Sequence, residues 1–175
     1  CAMIFITLLK NWSTWACLMF KPTNFIKFLR LSSSEQSLFF RATVFLAIVG
    51  IGLRWLSFRR IEGLLGSTDV AVGKALSPVD AATQARNTAR IIAFASRYGP
   101  YRANCLPTSL VLRRYLLRQG IQANLRVGVR KAIDGSLEAH AWVEHAGEPL
   151  INRADVHHYF APFDQSIHPS KEGSG

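Results

Sequence analysis

Cys105 stands in Asn104-Cys105-Leu106-Pro107, at the head of a segment with helical apolar spacing. A cysteine there has its thiolate favoured by the unpaired N–H groups and the dipole at the helix start. Taken alone it would be an ordinary small buried hydrophobe, so its companions matter. His140 lies in a segment of period two, on the face opposite Leu137, Ala139, Ala141 and Val143, which keeps the imidazole off the apolar side. His145-Ala146-Gly147 reads as a three-residue hairpin loop with Gly at the left-handed position. That register sets Glu144 against Glu148, Trp142 against Leu150 and His140 against Asn152. Directly opposed residues have Cβ atoms about 5 Å apart, so the Asn152 amide oxygen would accept from one imidazole nitrogen and leave the other for the thiol. A two-residue loop would move Asn152 to the other face. Thiolate, base and orienting amide, in that chain order, are the parts of nucleophilic acyl transfer at a carbonyl.

The other histidines compete poorly for the role. His145 falls in the turn and His168 in the tail, while His157-His158 has no partner at metal-ligand spacing beyond Asp155. No metal site and no cofactor is expected, since the acyl-transfer chemistry needs neither.

Helices and strands must position these groups. Ser32 to Glu35 supplies caps for a helix from about Ser34 to Leu56, weakened by Gly50 and Gly52, and Gly63 to Gly73 reads as a loop or linker. Ser77-Pro78-Val79-Asp80 opens a second helix, with a capping Ser, Pro in the first turn and Asp three residues on, and Tyr98-Gly99-Pro100 ends it. A third helix follows Cys105 and stops at Gly120. From Ile121 to Val129 the apolar residues alternate, Asp134-Gly135 marks a turn, Leu137 to Glu144 alternates again, and a short last strand runs from Glu148 to about Asn152. The chain thus divides into an apolar, basic, helical region at 1–73, a core at 74–164 and a mobile tail at 165–175.

Composition narrows the classes further. The 175 residues are 49% hydrophobic and 18% charged, too apolar for disorder, and the three cysteines, Cys1, Cys17 and Cys105, form neither a disulfide framework nor a zinc pattern. A reducing compartment follows, and the cytoplasm is the expected location, with a membrane surface as a second site of residence. Of the net charge of +10, residues 1–60 carry 8 Lys or Arg against the single acid Glu35. Such a basic, apolar segment suits an anionic membrane surface or an acidic peptide. Nucleic acid is not expected, because the basic residues are scattered singly among Leu, Ile and Phe and no nucleic-acid motif is present. The apolar run from Ala42 to Leu53, between Arg41 and Arg54, is 12 residues long, short of the roughly 20 a spanning helix needs, and reads as a buried or interfacial helix. Cys1 to Phe20 is apolar too, but lacks a charged leading region and holds Lys10 and Asn11 mid-run, which argues against a secretory signal.

Several motifs together carry a family resemblance: Asn104-Cys105-Leu106-Pro107, Arg113-Arg114 with Gly120-Ile121, Ala139-His140-Ala141-Trp142-Val143-Glu144, and Gly147-Glu148-Pro149-Leu150. Over about Phe25 to Asp164 the chain resembles the transglutaminase-like cysteine peptidases of lasso peptide maturation, the B proteins that remove the leader from a lasso precursor. The resemblance implies an α+β fold in which an N-terminal helical region precedes a transglutaminase/papain-like core, with the nucleophile at a helix N-terminus and His and Asn on adjacent antiparallel strands. It implies Cys105 as nucleophile, His140 as general base and Asn152 as orienter. The family usually has Asp at the third position, so Asp155 is the substitute for Asn152. Implied partners are the lasso precursor peptide, a separate leader-binding recognition protein and an ATP-dependent macrolactam cyclase. Two other readings stay open on the same residues: an acyl transferase of the transglutaminase type, and a non-catalytic peptide-binding or membrane-associated scaffold.

Overall fold

The computed structural model describes residues 28–66, 77–99, 101–132, 134–151 and 159–162. Among the described residues, four helices, α1 (Ser33–Trp55), α2 (Phe58–Gly66), α3 (Pro78–Tyr98) and α4 (Cys105–Arg118), precede four strands, β1 (Asn124–Lys131), β2 (Leu137–His145), β3 (Glu148–Pro149) and β4 (Ala161–Pro162). The architecture is α+β, with the antiparallel sheet ordered β3-β2-β1-β4.

Local chemistry explains the helix starts. Ser32 Oγ accepts from the Glu35 N–H at 3.3 Å while Glu35 Oε2 accepts from the Ser32 N–H at 2.9 Å, a reciprocal capping box. Ser77 caps α3 in the same way through the Asp80 N–H at 3.2 Å, with Pro78 in the first turn. The expected loop from Gly63 is helical to Gly66, because α1 breaks at the extended residue Leu56 and α2 buries Ile61 while Arg59 and Arg60 face water. Arg114 Nη1 donates to the Leu65 carbonyl at 2.7 Å and holds α2 against α4. The domain boundary expected at 73 falls at 67–76, outside the described residues.

α4 is the central element. Leu110, Val111, Leu112 and Leu116 are almost wholly buried, with α1 and α3 on one side and the sheet on the other. Each such side chain contributes roughly 1.5–3 kcal/mol of apolar burial. Phe39, Ala42, Leu46 and Val49 of α1, and Ala85, Ala89, Ile92 and Ala95 of α3, complete the same core, which Ala141, Val143 and Leu125 close from the sheet.

Three strand expectations need correction, the first being the last hairpin strand, which spans Glu148–Pro149 and not Glu148 to about Asn152. β1 begins at Asn124 instead of Ile121, although Ile121 and Ala123 are buried as the alternation requires. β2 and β3 are joined by a two-residue turn: Ala146 and Gly147 have φ of 51° and 83°, and the pairs are His145↔Glu148 and Glu144↔Pro149. Two consecutive left-handed residues match the twist of a tight hairpin, so the three-residue loop and its register do not form. The Leu150 N–H then donates to the Val143 carbonyl, which sets Leu150 beside Val143 where the longer loop would have set it beside Trp142.

Candidate active site

Cys105 is the first residue of α4 and half-buried against the core. The helix opens with the Thr108 N–H and Thr108 Oγ1 both donating to the Asn104 carbonyl, at 3.2 and 2.8 Å. Pro107 fills the first turn without needing a partner for an N–H. The Asn104 side chain makes no capping bond, so it does not occupy the N–H groups of Cys105 and Leu106. One turn further, Ser109 Oγ donates to the Ala141 carbonyl at 3.0 Å in a buried bond. This bond ties α4 to β2. It lies one helical turn beyond the cysteine and one residue beyond the histidine.

His140 is half-buried in the middle of β2, opposite Gly128 of β1. Its ring stacks 6.3 Å from Trp142, and on the other side the Phe160 ring lies 5.1 Å away. Phe160 precedes β4, on the far side of β1 from His140. Between them Gly128, which carries no side chain, pairs with His140 on one side and with Pro162 on the other. Arg130 places its guanidinium 5.0 Å from the Phe160 ring centre and donates to Glu138 at 2.6 Å. On the other flank, Trp142 Nε1 donates to Glu144 Oε1 at 2.7 Å and Arg126 Nε to Glu144 Oε2 at 3.1 Å. Trp142 is fully buried and Glu144 nearly so, and both oxygens of this buried carboxylate have partners. The histidine sits in a continuous row of stacked rings whose ends are locked by ion pairs.

Of the residues singled out from sequence, Cys105 and His140 stand on two elements that the Ser109 bond holds together, while Asn152 and Asp155 lie outside the described residues. The observed turn removes the argument that opposed Asn152 to His140, since the pairing is shifted by one residue. His157, His158 and His168 also lie outside the described residues. His145 Nδ1 donates to the Gln122 carbonyl at 2.7 Å, a structural bond that ties β2 to the segment before β1. Among the described residues no group of His, Cys, Asp and Glu could hold a metal ion. Sequence reasoning missed Ser109, Gly128 and Phe160. It also placed Trp142 and Glu144 simply on the non-core face, where the structure buries them. A signal for that burial exists in the alternation itself: Trp142 and Glu144 on one face, with Arg126 one strand away, is a polar set that fits an interior only as a closed network.

A cysteine at the start of a central helix, packed on an antiparallel sheet that carries a histidine, is the frame in which the family comparison falls. Residues 45–164 match the model of the transglutaminase-like superfamily. The chain belongs to the transglutaminase-like superfamily. The match starts within α1 and takes in every later element through β4. No curated protein and no solved structure matches significantly. Membership points to cysteine-peptidase or acyl-transfer chemistry, which needs a thiol nucleophile and a base. Cys105 is the one cysteine among the described residues of this transglutaminase-like chain.

Proposed function

We propose that the protein is a cysteine peptidase that removes the leader from a lasso peptide precursor. The observation that carries the chemical half of this reading is the position of Cys105 at the N-terminus of the central helix of a transglutaminase-like domain. The lasso half rests on the motifs around Cys105 and His140 set out above.

In this mechanism Cys105 Sγ attacks the carbonyl carbon of the leader–core peptide bond, and the carbonyl oxygen takes the displaced electron pair. Backbone N–H groups at the start of α4, including that of Cys105, donate to this oxyanion. The C–N bond then breaks, protonated His140 gives its proton to the leaving amine, and the core peptide departs with a free N-terminus. The leader remains as a thioester on Cys105. His140 next takes a proton from water, the hydroxide attacks the thioester, and the leader acid and the thiol are released. Asn152 or, in its place, Asp155 orients the imidazole. A leader-binding protein and an ATP-dependent cyclase would act beside the enzyme, in the cytoplasm.

The test is mass spectrometry of the products formed from a lasso precursor peptide with the recognition protein present. The proposal expects leader acid and core amine from the parent and neither from Cys105→Ala. A leader carrying an added amine, formed in its place, would mark an acyl transferase. Precursor binding with no turnover, unchanged in Cys105→Ala, would mark a scaffold and overturn the peptidase reading.

A further inference from the structure

α1 presents two apolar faces, and the domain uses one. At 100° per residue, Phe39, Ala42, Leu46 and Val49 point to the core, while Phe40, Val44, Ile48, Ile51 and Trp55 fall within an arc of about 80° on the opposite side. This second row is open to water, from 45% exposure at Ile51 to 75% at Trp55. It runs the length of the helix, a continuous apolar stripe of the kind that marks a docking surface.

Charge says what docks there. Arg41 and Arg54 flank the stripe on its two sides, and Arg59 and Arg60 stand exposed on the first turn of α2, just beyond Trp55. Glu35, the single acid of the first 60 residues, is already engaged by Ser32 and by Arg90. An apolar row ending in Trp and flanked by Arg41 and Arg54 is complementary to an anionic lipid surface, where acyl chains take the apolar row and headgroups the guanidinium groups. Ser33–Trp55 is also long and apolar enough to cross a membrane. Crossing would strip Phe39 and Leu46, both at most 1% exposed, from their packing against α3 and α4.

We infer that α1 is a docking helix that lies in the plane of an anionic phospholipid surface, its Phe40–Trp55 stripe in the acyl boundary and Arg41 and Arg54 among the headgroups. This inference is independent of the peptidase reading. It predicts a domain held at the membrane by one face while the sheet on the far side of the core stays in water.

The experiment is co-sedimentation of the full chain with phosphatidylglycerol-containing vesicles and with pure phosphatidylcholine vesicles. Binding is expected to the first, to fall with added salt, and to be much weaker to the second. Val44→Glu/Ile48→Glu replaces two exposed side chains, leaves the thermal unfolding midpoint near that of the parent, and should lower partitioning at least about a hundredfold by removing two apolar contacts with lipid. Arg41→Gln/Arg54→Gln should weaken binding to anionic vesicles about fivefold per arginine. Binding that is unchanged in Val44→Glu/Ile48→Glu would place the attraction elsewhere in the chain and overturn the inference. So would equal binding to both vesicle types, no binding to either, or a vesicle-free dimer that the same substitutions dissociate.

Discussion

Gly50 is the point at which α1 makes room for the loop that delivers Cys105. A methyl group built on Gly50 would overlap the phenol end of Tyr101, lying 2.5 Å from its Cε1 and closer still to Cζ and Oη. Tyr101 is half-buried against the core and stands four residues before the nucleophile. Gly50→Ala therefore sets two effects against each other. Alanine in a helix interior is worth about 1 kcal/mol over glycine. Overpacking that displaces a seated ring costs about 1–3 kcal/mol, and the lost ring packing adds to it. The packing cost wins, and the net prediction is a destabilisation of about 1–2 kcal/mol, or a fall in Tm of about 2–8 °C for a chain of this size. In a Tyr101→Ala background the methyl enters vacated space and the sign reverses, so Gly50→Ala becomes neutral to stabilising by up to about 1 kcal/mol. Urea unfolding followed by far-UV circular dichroism on the four proteins of this cycle measures the coupling, expected at about 2–3 kcal/mol. Gly50→Ala at or above parent stability, or an equal cost in both backgrounds, would refute the reasoning.

Three further outcomes follow from the site and the caps. Arg126→Met removes the guanidinium that pairs with the nearly buried Glu144 carboxylate, and because Arg126 is itself one-third exposed the cost should be about 2–3 kcal/mol by urea unfolding, below the about 3–5 kcal/mol of a fully buried pair. Gly128→Val adds a side chain at the β1 position paired with His140 and Pro162; if His140 is the base proposed above, turnover should fall at least about tenfold while substrate affinity changes little, since a misplacement of about 1 Å costs up to about a hundredfold. The Ser32 backbone N–H and hydroxyl, then Arg90, hold the Glu35 carboxyl below its ordinary 4.5. Its folded-state pKa being the lower one, its contribution to stability is present above about pH 4.5 and is lost as the pH falls through the folded-state value. Glu35→Gln should accordingly lower Tm by a constant amount above about pH 4.5 and flatten the acid side of a Tm-against-pH profile.

What the sequence made legible was local. The Ser32 and Ser77 caps, the stop at Gly120 and the switch to period two are decided by side chains within a few residues of one another, and α1, α3, α4 and β2 came out close to their observed bounds. The β2–β3 turn was misread because Ala146 occupies a left-handed position that asparagine or glycine normally marks, so nothing in the residue type announces a two-residue turn. The break between α1 and α2 carries no Gly or Pro either; it is settled by Ile61 and Leu65 seeking the core and by Arg114 holding the Leu65 carbonyl. Placing Cys105 and His140 on a helix start and a strand was within reach of periodicity. The surroundings of His140 were not, because Phe160, Arg130 and Gly128 reach it through strand pairing between distant segments.

The central claim is that His140 activates the Cys105 thiol. It is tested most directly by the rate of iodoacetamide modification of Cys105 at neutral pH, read on its own peptide by mass spectrometry, in the parent and in His140→Ala. A histidine that serves as the base of this thiol should raise the rate about tenfold. The parent rate is expected about tenfold above that of a free cysteine peptide, with a return to the peptide's rate in His140→Ala. Equal rates in parent, His140→Ala and free peptide would contradict it and leave Cys105 as a packing residue of α4.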